Sequence, residues 1–502
     1  LHKAIRRQRQ MCIRDSNIFD KLKNYSDSDY YAFHMPGHKR NLDLMDGTSP
    51  YRIDITEIDG FDDLHHAEGI LRDAQERAAR VYHADETHFL VNGSTVGILS
   101  AILGTTEKGD SILVARNCHK SVYHAIYLNE LDPVYLYPKF DTEQGLSTEI
   151  DAADVQKALE EHPKICAVMI VSPTYDGVVS DIEKIAEIVH AKGCPLIVDE
   201  AHGAHFGFDP YFPKSANIYG ADLVINSLHK TLPALTQTAL LHVNGDMVKR
   251  RKVKQYLDML QTSSPSYILM ASIDACIGML EETLETHSDT RSDYKYKNIF
   301  SEYANRIEAL RKDLKRLKYL KIIQTDNTDR YDRSKFVISV KHAPMSSHEL
   351  YEILLHRYHL QMEMLAGTYV LAMTTVGDTQ EGLDRLRDAL LEIDKEIDTR
   401  QGRPAAIETD LPLSGRQPAL EKVWTIAEAV NRTDKIQKRS FEDSIGCISV
   451  EYAYLYPPGS PLIVPGERIT KEAVEILHWY QEHDFSIEGL QSEDGIEVWI
   501  DG

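Results

Sequence analysis

Short apolar runs alternate with amphipathic stretches along the chain. Buried strands are predicted at residues 111–115, 165–172, 196–198 and 223–225. The last two runs are too short for helices and lack an alternation of apolar and polar positions, which is typical of strands covered on both faces. Amphipathic helices are predicted at residues 68–83 and 181–190. Strands and helices in this order indicate a mostly parallel sheet with right-handed crossovers.

The remaining pattern predicts the other elements of the chain. Residues 17–31 have a helical pattern, and a helix begins at Ser94 or Thr95 after a short strand. Further predicted elements are strands at residues 238–243, 335–340 and 369–373, a long apolar helix after residues 261–266, and charged helices from about residue 283 to 317. Residues 399–419 are rich in proline, glycine and arginine, which indicates a linker. A chain of 502 residues exceeds one core, so two or three domains are expected.

Polar residues follow several predicted strands at their carboxyl ends. Asp199 follows one strand, and Ser227, His229 and Lys230 follow the next. His119 comes after the strand at residues 111–115. In open α/β sheets this edge is where ligands bind. The sequence therefore predicts a functional site at the edge of the sheet.

These residue types suggest catalysis with pyridoxal phosphate. Lys230 could bind the cofactor aldehyde in a pocket that keeps its amine neutral. Asp199 could keep the pyridine nitrogen protonated, which makes the ring an electron sink, and Ser227 and His229 could hold the phosphate. In one alternative, Lys230 is an ordinary surface lysine at a strand end. In another, a metal is bound by a cluster of Asp199, Glu200, His202 and His205.

Composition excludes several classes of protein. The formal net charge of −22 and the pI near 5.4 argue against nucleic acid as the main partner, which needs a basic surface. Six cysteines without a CxxC pair indicate neither a disulfide framework nor a zinc site. No apolar run approaches the roughly 18 residues of a membrane helix, and the N-terminus lacks the apolar core of a signal peptide. A cytoplasmic protein without a membrane partner is expected.

Residues 1–16 are basic, whereas the rest of the chain is acidic. We interpret this segment as foreign to the protein, a scar of cloning or of sequence assembly. A native basic arm is the alternative.

Eight motifs resemble, in order, those of the bacterial ornithine/lysine/arginine decarboxylases. They are FHMPGHKR at residues 33–40, DITEIDGFDDLHH at 54–66, VNGSTVG at 91–97, RNCHKS at 116–121, SPTYDG at 172–177, VDEAHGAH at 198–205, SLHK at 227–230 and YPPGSPLIVPGE at 456–467. Any one motif is weak, but eight in one order are specific. The resemblance runs from about Ile18 to the C-terminus and implies an α/β fold of the pyridoxal-phosphate-dependent transferase type, fold type I. In that fold a mostly parallel seven-stranded sheet lies between helices, and residues 238–243 would be its antiparallel strand.

The resemblance also implies a domain organisation and an assembly. The predicted parts are an arm at residues 17–50, a cofactor-binding large domain at 51–317, a small α/β subdomain at 318–398, the linker at 399–419 and a C-terminal α+β domain at 420–502. The N-terminal receiver-like domain of larger family members is expected to be missing. The active site is expected at the interface of a homodimer or a larger homo-oligomer.

Further site residues are assigned by the same resemblance. Ser94, Thr95 and the backbone of Val96 would bind the cofactor phosphate at a helix N-terminus, although a plain helix cap also explains the hydroxyls. His119 would stack on the pyridine ring, and His202 would be another cofactor-binding residue. Contacts with the active site or a partner subunit are open alternatives to structural roles for His34, His38, Lys39, Arg40, Thr174, Tyr175, residues 262–267, Tyr456 and Glu467.

The implied activity is decarboxylation of lysine, arginine or ornithine to cadaverine, agmatine or putrescine, as in polyamine biosynthesis. His229 or Lys230 would reprotonate the product carbon. Aminotransferases and aldolases share the core lysine and aspartate, so another reaction of the same fold remains an alternative. A non-catalytic cofactor-binding homologue would not need Lys230, Asp199, His119 and Ser94. A metal hydrolase built on Asp199, His202 and His205 is the last alternative.

Overall fold

The computed structural model of the protein describes residues 28–34, 37, 39, 41, 54–285, 296–323, 328–399, 417–432, 434–455, 459–483 and 485–500. The predicted foreign segment at residues 1–16 and most of the predicted linker lie outside the described residues. His38, Arg40 and Tyr456 lie outside them as well.

The large domain is built on a seven-stranded sheet with helices on both faces. A strand of the arm, β1 (Tyr31–Phe33), precedes it. The elements that follow are α1 (Ile70–Val81), β2 (Glu86–Leu90), α2 (Gly93–Thr105), β3 (Ser111–Ala115), α3 (Lys120–Leu128), β4 (Asp132–Leu136), β5 (Phe140–Asp141), β6 (Leu146–Ser147), α4 (Ala152–Glu161), β7 (Ile165–Val171), α5 (Ile182–Ala191), β8 (Leu196–Asp199), β9 (Leu223–Asn226), α6 (Leu228–Thr231), β10 (Ala239–Val243), α7 (Arg250–Leu260) and α8 (Tyr267–Glu285).

The sheet has the strand order β2-β10-β9-β8-β7-β3-β4. Within it β10 runs antiparallel to both neighbours, and the pairs β9-β8, β8-β7, β7-β3 and β3-β4 are parallel. The strands β8 and β9 are buried along their whole length. Both faces of these strands are covered, which explains their continuous apolar sequence.

The helix α9 (Ile299–Leu314) ends the predicted large domain, and two smaller units follow. The first contains β11 (Lys321–Ile322), β12 (Lys335–Ser339), α10 (Ser347–His356), β13 (Leu360–Met362), β14 (Met364–Ala366), β15 (Tyr369–Met373) and α11 (Gln380–Thr399). Its antiparallel sheet has the order β11-β12-β15-β14, and β13 pairs with β1 of the arm.

The second unit contains β16 (Glu421–Lys422), α12 (Ile426–Val430), β17 (Ile436–Arg439), β18 (Ile448–Ser449), β19 (Ala453–Leu455), β20 (Pro461–Ile463), β21 (Glu467–Arg468), α13 (Lys471–Glu482), β22 (Ile487–Glu488) and β23 (Ile496–Trp499). Its sheets have the orders β16-β21-β18-β23-β17 and β20-β19-β22. The predicted fold class, including the antiparallel strand of the seven, is confirmed. The domain boundaries stay predictions.

The helical pattern predicted for residues 17–31 is wrong at its C-terminal end. Tyr31 belongs to β1, where it pairs in parallel register with Leu360. Its hydroxyl also donates to Asp378 at 3.0 Å. These contacts come from distant parts of the chain, and they override the local pattern. Residues 17–27 lie outside the described residues.

No helix in the described part of the chain is both long enough and apolar enough to cross a bilayer.

Candidate active site

A cavity of about 530 Å³ opens at the carboxyl edge of the seven-stranded sheet. The loops after β3, β7, β8 and β9 and the start of α2 contribute polar side chains to its wall. These polar side chains are Ser94, Thr95, Asn117, His119, Thr174, Tyr175, Asp176, Asp199, His202, Ser227, His229 and Lys230. Eight of the nine predicted site residues therefore line one cavity.

Val96 is the predicted residue that does not line this cavity. Its side chain is 3% exposed and packs into the core of the large domain. The helix α2 begins at Gly93, one residue before the predicted start. A contact through the amide of Val96 stays a prediction.

Lys230 lies in the short helix α6, directly after β9. Its Nζ is 3.0 Å from Nε2 of His202. Burial lowers the pKa of the Lys230 ammonium, and the carboxylates of Asp199 and Glu363 oppose that shift. A lysine with a lowered pKa has a larger fraction of neutral, nucleophilic amine.

Asp199 is the last residue of β8, and it is 3% exposed. Its Oδ1 accepts a hydrogen bond from the backbone amide of Ala201 at 3.1 Å. Burial raises the pKa of the Asp199 carboxyl, and the Lys230 ammonium opposes this rise. A cationic group facing Asp199 would therefore favour its ionised form.

His119 is held in a fixed orientation at the start of α3. Its side chain caps the helix by accepting from the backbone amide of Ser121. Burial, followed by the Lys230 ammonium, lowers the pKa of His119 to about 3. The cavity therefore receives a neutral, flat ring at this position.

Hydroxyl groups meet near the start of α2. The Oγ atoms of Ser94 and Ser227 are hydrogen-bonded to each other. Free amides and the positive end of the helix dipole favour an anion at such a position. The two serines come from sequence segments 133 residues apart.

His229 lines the cavity, and a backbone hydrogen bond fixes the orientation of its ring. Its Nδ1 donates to the backbone carbonyl of Thr238 at 2.9 Å. Burial lowers the pKa of His229 to about 4, so the ring is neutral and its Nε2 is an acceptor. This nitrogen can take up a proton, and a role of His229 in binding the cofactor phosphate stays a prediction.

The residues of the alternative metal cluster do not gather at one point. Glu200 accepts hydrogen bonds from Ser215, Asn226 and the amide of Ala216. His205 is bonded through Nε2 to Asp332 at 3.1 Å. The described residues contain no group of three His, Cys, Asp or Glu side chains arranged to hold a metal ion.

The outer wall of the cavity comes from residues that are distant in the sequence. The hairpin β5-β6, residues 364–369 and the C-terminal unit all contribute. The last of these supplies Leu455, Ser460, Leu462, Tyr480 and Phe485. Ser460 and Leu462 belong to the motif at residues 456–467, whereas Leu455, Tyr480 and Phe485 lie outside the eight motifs and were not predicted.

Glu467, for which contact with the active site and a structural role were both open, fixes the C-terminal unit to the large domain. It forms an ion pair with Arg116 at 3.0 Å, and both side chains are 1% exposed. Arg116 also donates to the carbonyls of Pro461 and Leu462, and Leu462 lines the cavity. This ion pair therefore holds one wall of the cavity in position.

We predict that Glu467→Gln destabilises the protein strongly. It leaves the Arg116 charge buried without its counter-ion, which typically costs about 3–5 kcal/mol. Glu421→Gln is the matched control, because the Glu421–Arg468 pair at 2.7 Å is exposed to solvent and such pairs contribute at most about 1 kcal/mol. The free energy of unfolding in urea measures both losses. Equal losses in the two variants would contradict the role of Glu467.

Residues 262–267 make structural contacts within this chain. The amide of Thr262 donates to the side chain of Asn92 at 3.1 Å, and the helix α8 begins at Tyr267. None of these residues lines the cavity. A contact across a subunit interface stays a prediction.

Comparison with known proteins identifies the chain. Residues 16–353 match the major domain of the Orn/Lys/Arg decarboxylase family, and residues 416–498 match the C-terminal domain of that family. Uncharacterized protein YaaO of Bacillus subtilis is 36% identical over 468 residues, covering 92% of this chain and 93% of that protein. An arginine decarboxylase of the same organism is 31% identical over 484 residues, covering 93% and 94%.

A solved structure supports the same fold. The Francisella novicida lysine decarboxylase LdcF is similar with a TM-score of 0.74 and 19% identity, covering 95% of this chain and 80% of that one. The chain thus has fold type I, the fold of pyridoxal-phosphate-dependent transferases. Within this class, the chain belongs to the Orn/Lys/Arg decarboxylase family. It is an amino acid decarboxylase, a lyase that acts on basic amino acids.

Proposed function

We propose that the protein decarboxylates arginine, with pyridoxal phosphate as its cofactor. The observation that supports this best is the shared cavity of Lys230 and Asp199. The amine of Lys230 can react with an aldehyde, and the carboxylate of Asp199 can stabilise a protonated ring nitrogen. The alternative in which Lys230 is an ordinary surface lysine does not explain its contact with buried His202.

The donors around the cavity fit the chemistry of pyridoxal phosphate. Ser94, Thr95 and Ser227 would hold the phosphate together with the amides at the start of α2. His119 would lie against the ring, and its neutral form adds no charge there. His202, next to Lys230, would complete the set of binding residues.

The surroundings of Asp199 and His229 favour a particular role for each side chain. When bound, pyridoxal phosphate supplies an electron sink for the electron pair that the departing carboxylate leaves behind. Asp199 would hold a proton on the ring nitrogen, and burial strengthens that interaction because little water screens it. Nε2 of His229 can carry a proton to or from a reacting carbon. Apolar residues of the outer wall would limit the access of water to a bound substrate.

Asp176 is our candidate for the contact with the distal cation of the substrate. In the described part of the chain, Asp176 and Asp199 are the carboxylates that line the cavity. Oδ1 of Asp176 accepts from the hydroxyl of Tyr369, and a carboxylate has capacity for further donors. A guanidinium or ammonium group would lower the raised pKa that burial gives Asp176.

Arginine is our first choice of substrate because the B. subtilis relative named arginine decarboxylase matches the chain over 93% of its length. The test incubates the purified protein, supplied with pyridoxal phosphate, with arginine, lysine and ornithine labelled at the carboxyl carbon. We expect labelled carbon dioxide and agmatine, formed faster than the other two amines. A faster reaction with lysine or ornithine would overturn the choice of arginine. Transfer of the amino group with the carboxyl retained would overturn decarboxylation.

We further propose that the protein works in the cytoplasm as a homodimer or a larger homo-oligomer. The resemblance to the family supports the assembly. Free thiols at all five described cysteines are compatible with a reducing compartment. Light scattering of the purified protein would test the assembly, and the mass of a single chain would contradict it.

A further inference from the structure

A fully buried lysine lies behind His202. Lys335 is the first residue of β12, and its side chain is 0% exposed. Its Nζ is 3.3 Å from Nδ1 of His202, whose Nε2 is 3.0 Å from Nζ of Lys230. The imidazole ring therefore bridges two amines. Lys335 does not line the cavity and cannot touch a substrate there.

The surroundings hold this bridge in place. The backbone oxygen of Lys335 accepts from the Arg311 guanidinium at 2.6 Å. The lysine side chain passes Gly177, where a Cβ atom would lie 2.9 Å from its Cγ. On the other side, the ring of Tyr175 packs against His202 with 4.4 Å between centroids. The three nitrogen-bearing groups are thus aligned by packing from separate segments.

The His202 ring limits which of the two lysines can carry a proton at the same time. Burial and the nearby lysines keep the pKa of His202 well below its ordinary value, so its ring is neutral. A neutral imidazole has one N–H and one acceptor nitrogen. The acceptor nitrogen can receive a hydrogen bond from an ammonium, whereas the N–H needs the lone pair of a neutral amine. Both contacts are satisfied when one of the two lysines is charged and the other is neutral.

We propose that Lys335 is a positioning residue that shares a proton with Lys230 through His202, and this rests on the proposed function of Lys230. The Lys230 ammonium gives a proton to Nε2 of His202, and Nδ1 of the same ring gives its proton to the neutral Lys335 amine. The ring is neutral before and after, and the total charge is unchanged. Lys230 becomes the nucleophilic amine without releasing a proton to water.

The charges around Lys335 suit a lysine that gains and loses a proton. Burial lowers the pKa of Lys335 to about 8. Acidic side chains from three segments of the chain favour the charged form of Lys335. Two lysines disfavour that form. The groups facing Lys335 are Asp332, Glu363, Asp176, Lys39, Lys230 and His202.

The test measures the protonation of Lys230 in the cofactor-free protein. Trace acetic anhydride reacts with neutral amines, and mass spectrometry of the Lys230 peptide gives its labelling rate between about pH 6 and 11. In Lys335→Met, Lys230 loses a neighbouring cation and proton acceptor, so we expect its labelling midpoint to rise by about one pH unit or more. At a pH below both midpoints, the labelling rate of Lys230 in Lys335→Met should be about tenfold lower than in the wild type.

Three further variants isolate the cause. Lys335→Arg keeps a permanent cation that donates to Nδ1 of His202, so the low midpoint of Lys230 should be retained. Lys39→Met is the matched control, because Lys39 is another buried lysine but donates to the carbonyls of His34 and Met373. It should leave the Lys230 midpoint within about 0.3 pH units of the wild type, a small part of the expected shift. If Lys335→Met does not fold, Lys335→Gln replaces it.

An unchanged Lys230 midpoint in the uncharged Lys335 variants would overturn the proposal. An equal shift in Lys39→Met would also overturn it, because the loss of any buried positive charge would then explain the shift. The labelling does not depend on turnover. A wild-type protein that forms no amine from any basic amino acid would refute the proposed function, and the labelling result would still decide the role of Lys335.

Discussion

Replacing Lys230 by alanine is expected to abolish decarboxylation and to remove the yellow colour of the bound cofactor. Lys230 lines the cavity together with Asp199, and its lowered pKa favours the amine that an aldehyde requires. Loss of a covalent catalyst typically lowers kcat by at least about 10³-fold. The measurements are amine formation from arginine and the absorbance spectrum after dialysis.

Lys120→Ala is the matched control for this substitution. Lys120 follows His119 directly, but its Nζ donates to the hydroxyl of Tyr454 at 3.2 Å and does not line the cavity. We expect this variant to remain yellow. A Lys230→Ala protein that stayed yellow after dialysis, or that kept its turnover, would remove Lys230 from its proposed role.

Replacing Asp199 by asparagine is expected to lower turnover by about 10²–10³-fold, the scale for loss of one electrostatic contact in an active site. The shape of the side chain is kept, but a neutral amide no longer stabilises a protonated ring nitrogen. Cofactor should remain bound, because Lys230, Ser94 and Ser227 are unchanged. The test compares kcat for arginine after correction for the cofactor content of each preparation.

Glu200→Gln separates this effect from general damage to the buried site. Glu200 is the next residue, and its carboxylate is used in structural hydrogen bonds to Ser215 and Asn226. This variant should be less stable, yet retain its turnover per folded molecule. Unchanged turnover in Asp199→Asn would show that the ring nitrogen is controlled from elsewhere.

The seven-stranded sheet could be predicted because its strands carry a local signal. The fully buried strands β8 and β9 have continuous apolar sequences, and their polar residues come directly after them. The parallel order brings these ends to one edge. Asp199, Lys230 and His119 could therefore be assigned to one region before any contact was known.

The contacts that hold the site in place could not be predicted from local sequence patterns. Arg116 and Glu467 are 351 residues apart, and neither has a local pattern that indicates burial. Lys335 precedes an apolar run, where a lysine more often marks an exposed strand end. Its contact with His202 depends on packing between two units of the protein.

The tautomer of His229 could not be predicted from residue type. Its position beside Lys230 suggests a phosphate ligand, and that role stays a prediction. The hydrogen bond from its Nδ1 to the carbonyl of Thr238 leaves Nε2 as the acceptor nitrogen of the neutral ring. That bond depends on the turn before β10, which a sequence pattern does not specify.

We infer that Lys230 binds the cofactor aldehyde in the cavity that Asp199 lines. The most direct measurement is reduction of the purified protein with sodium borohydride, followed by peptide mapping of the lysine that carries the phosphopyridoxyl group. We predict that the group is on Lys230 and is missing from the Lys230→Ala protein. A group on Lys335 or any other lysine, or no labelled lysine in a protein that forms agmatine, would contradict the claim.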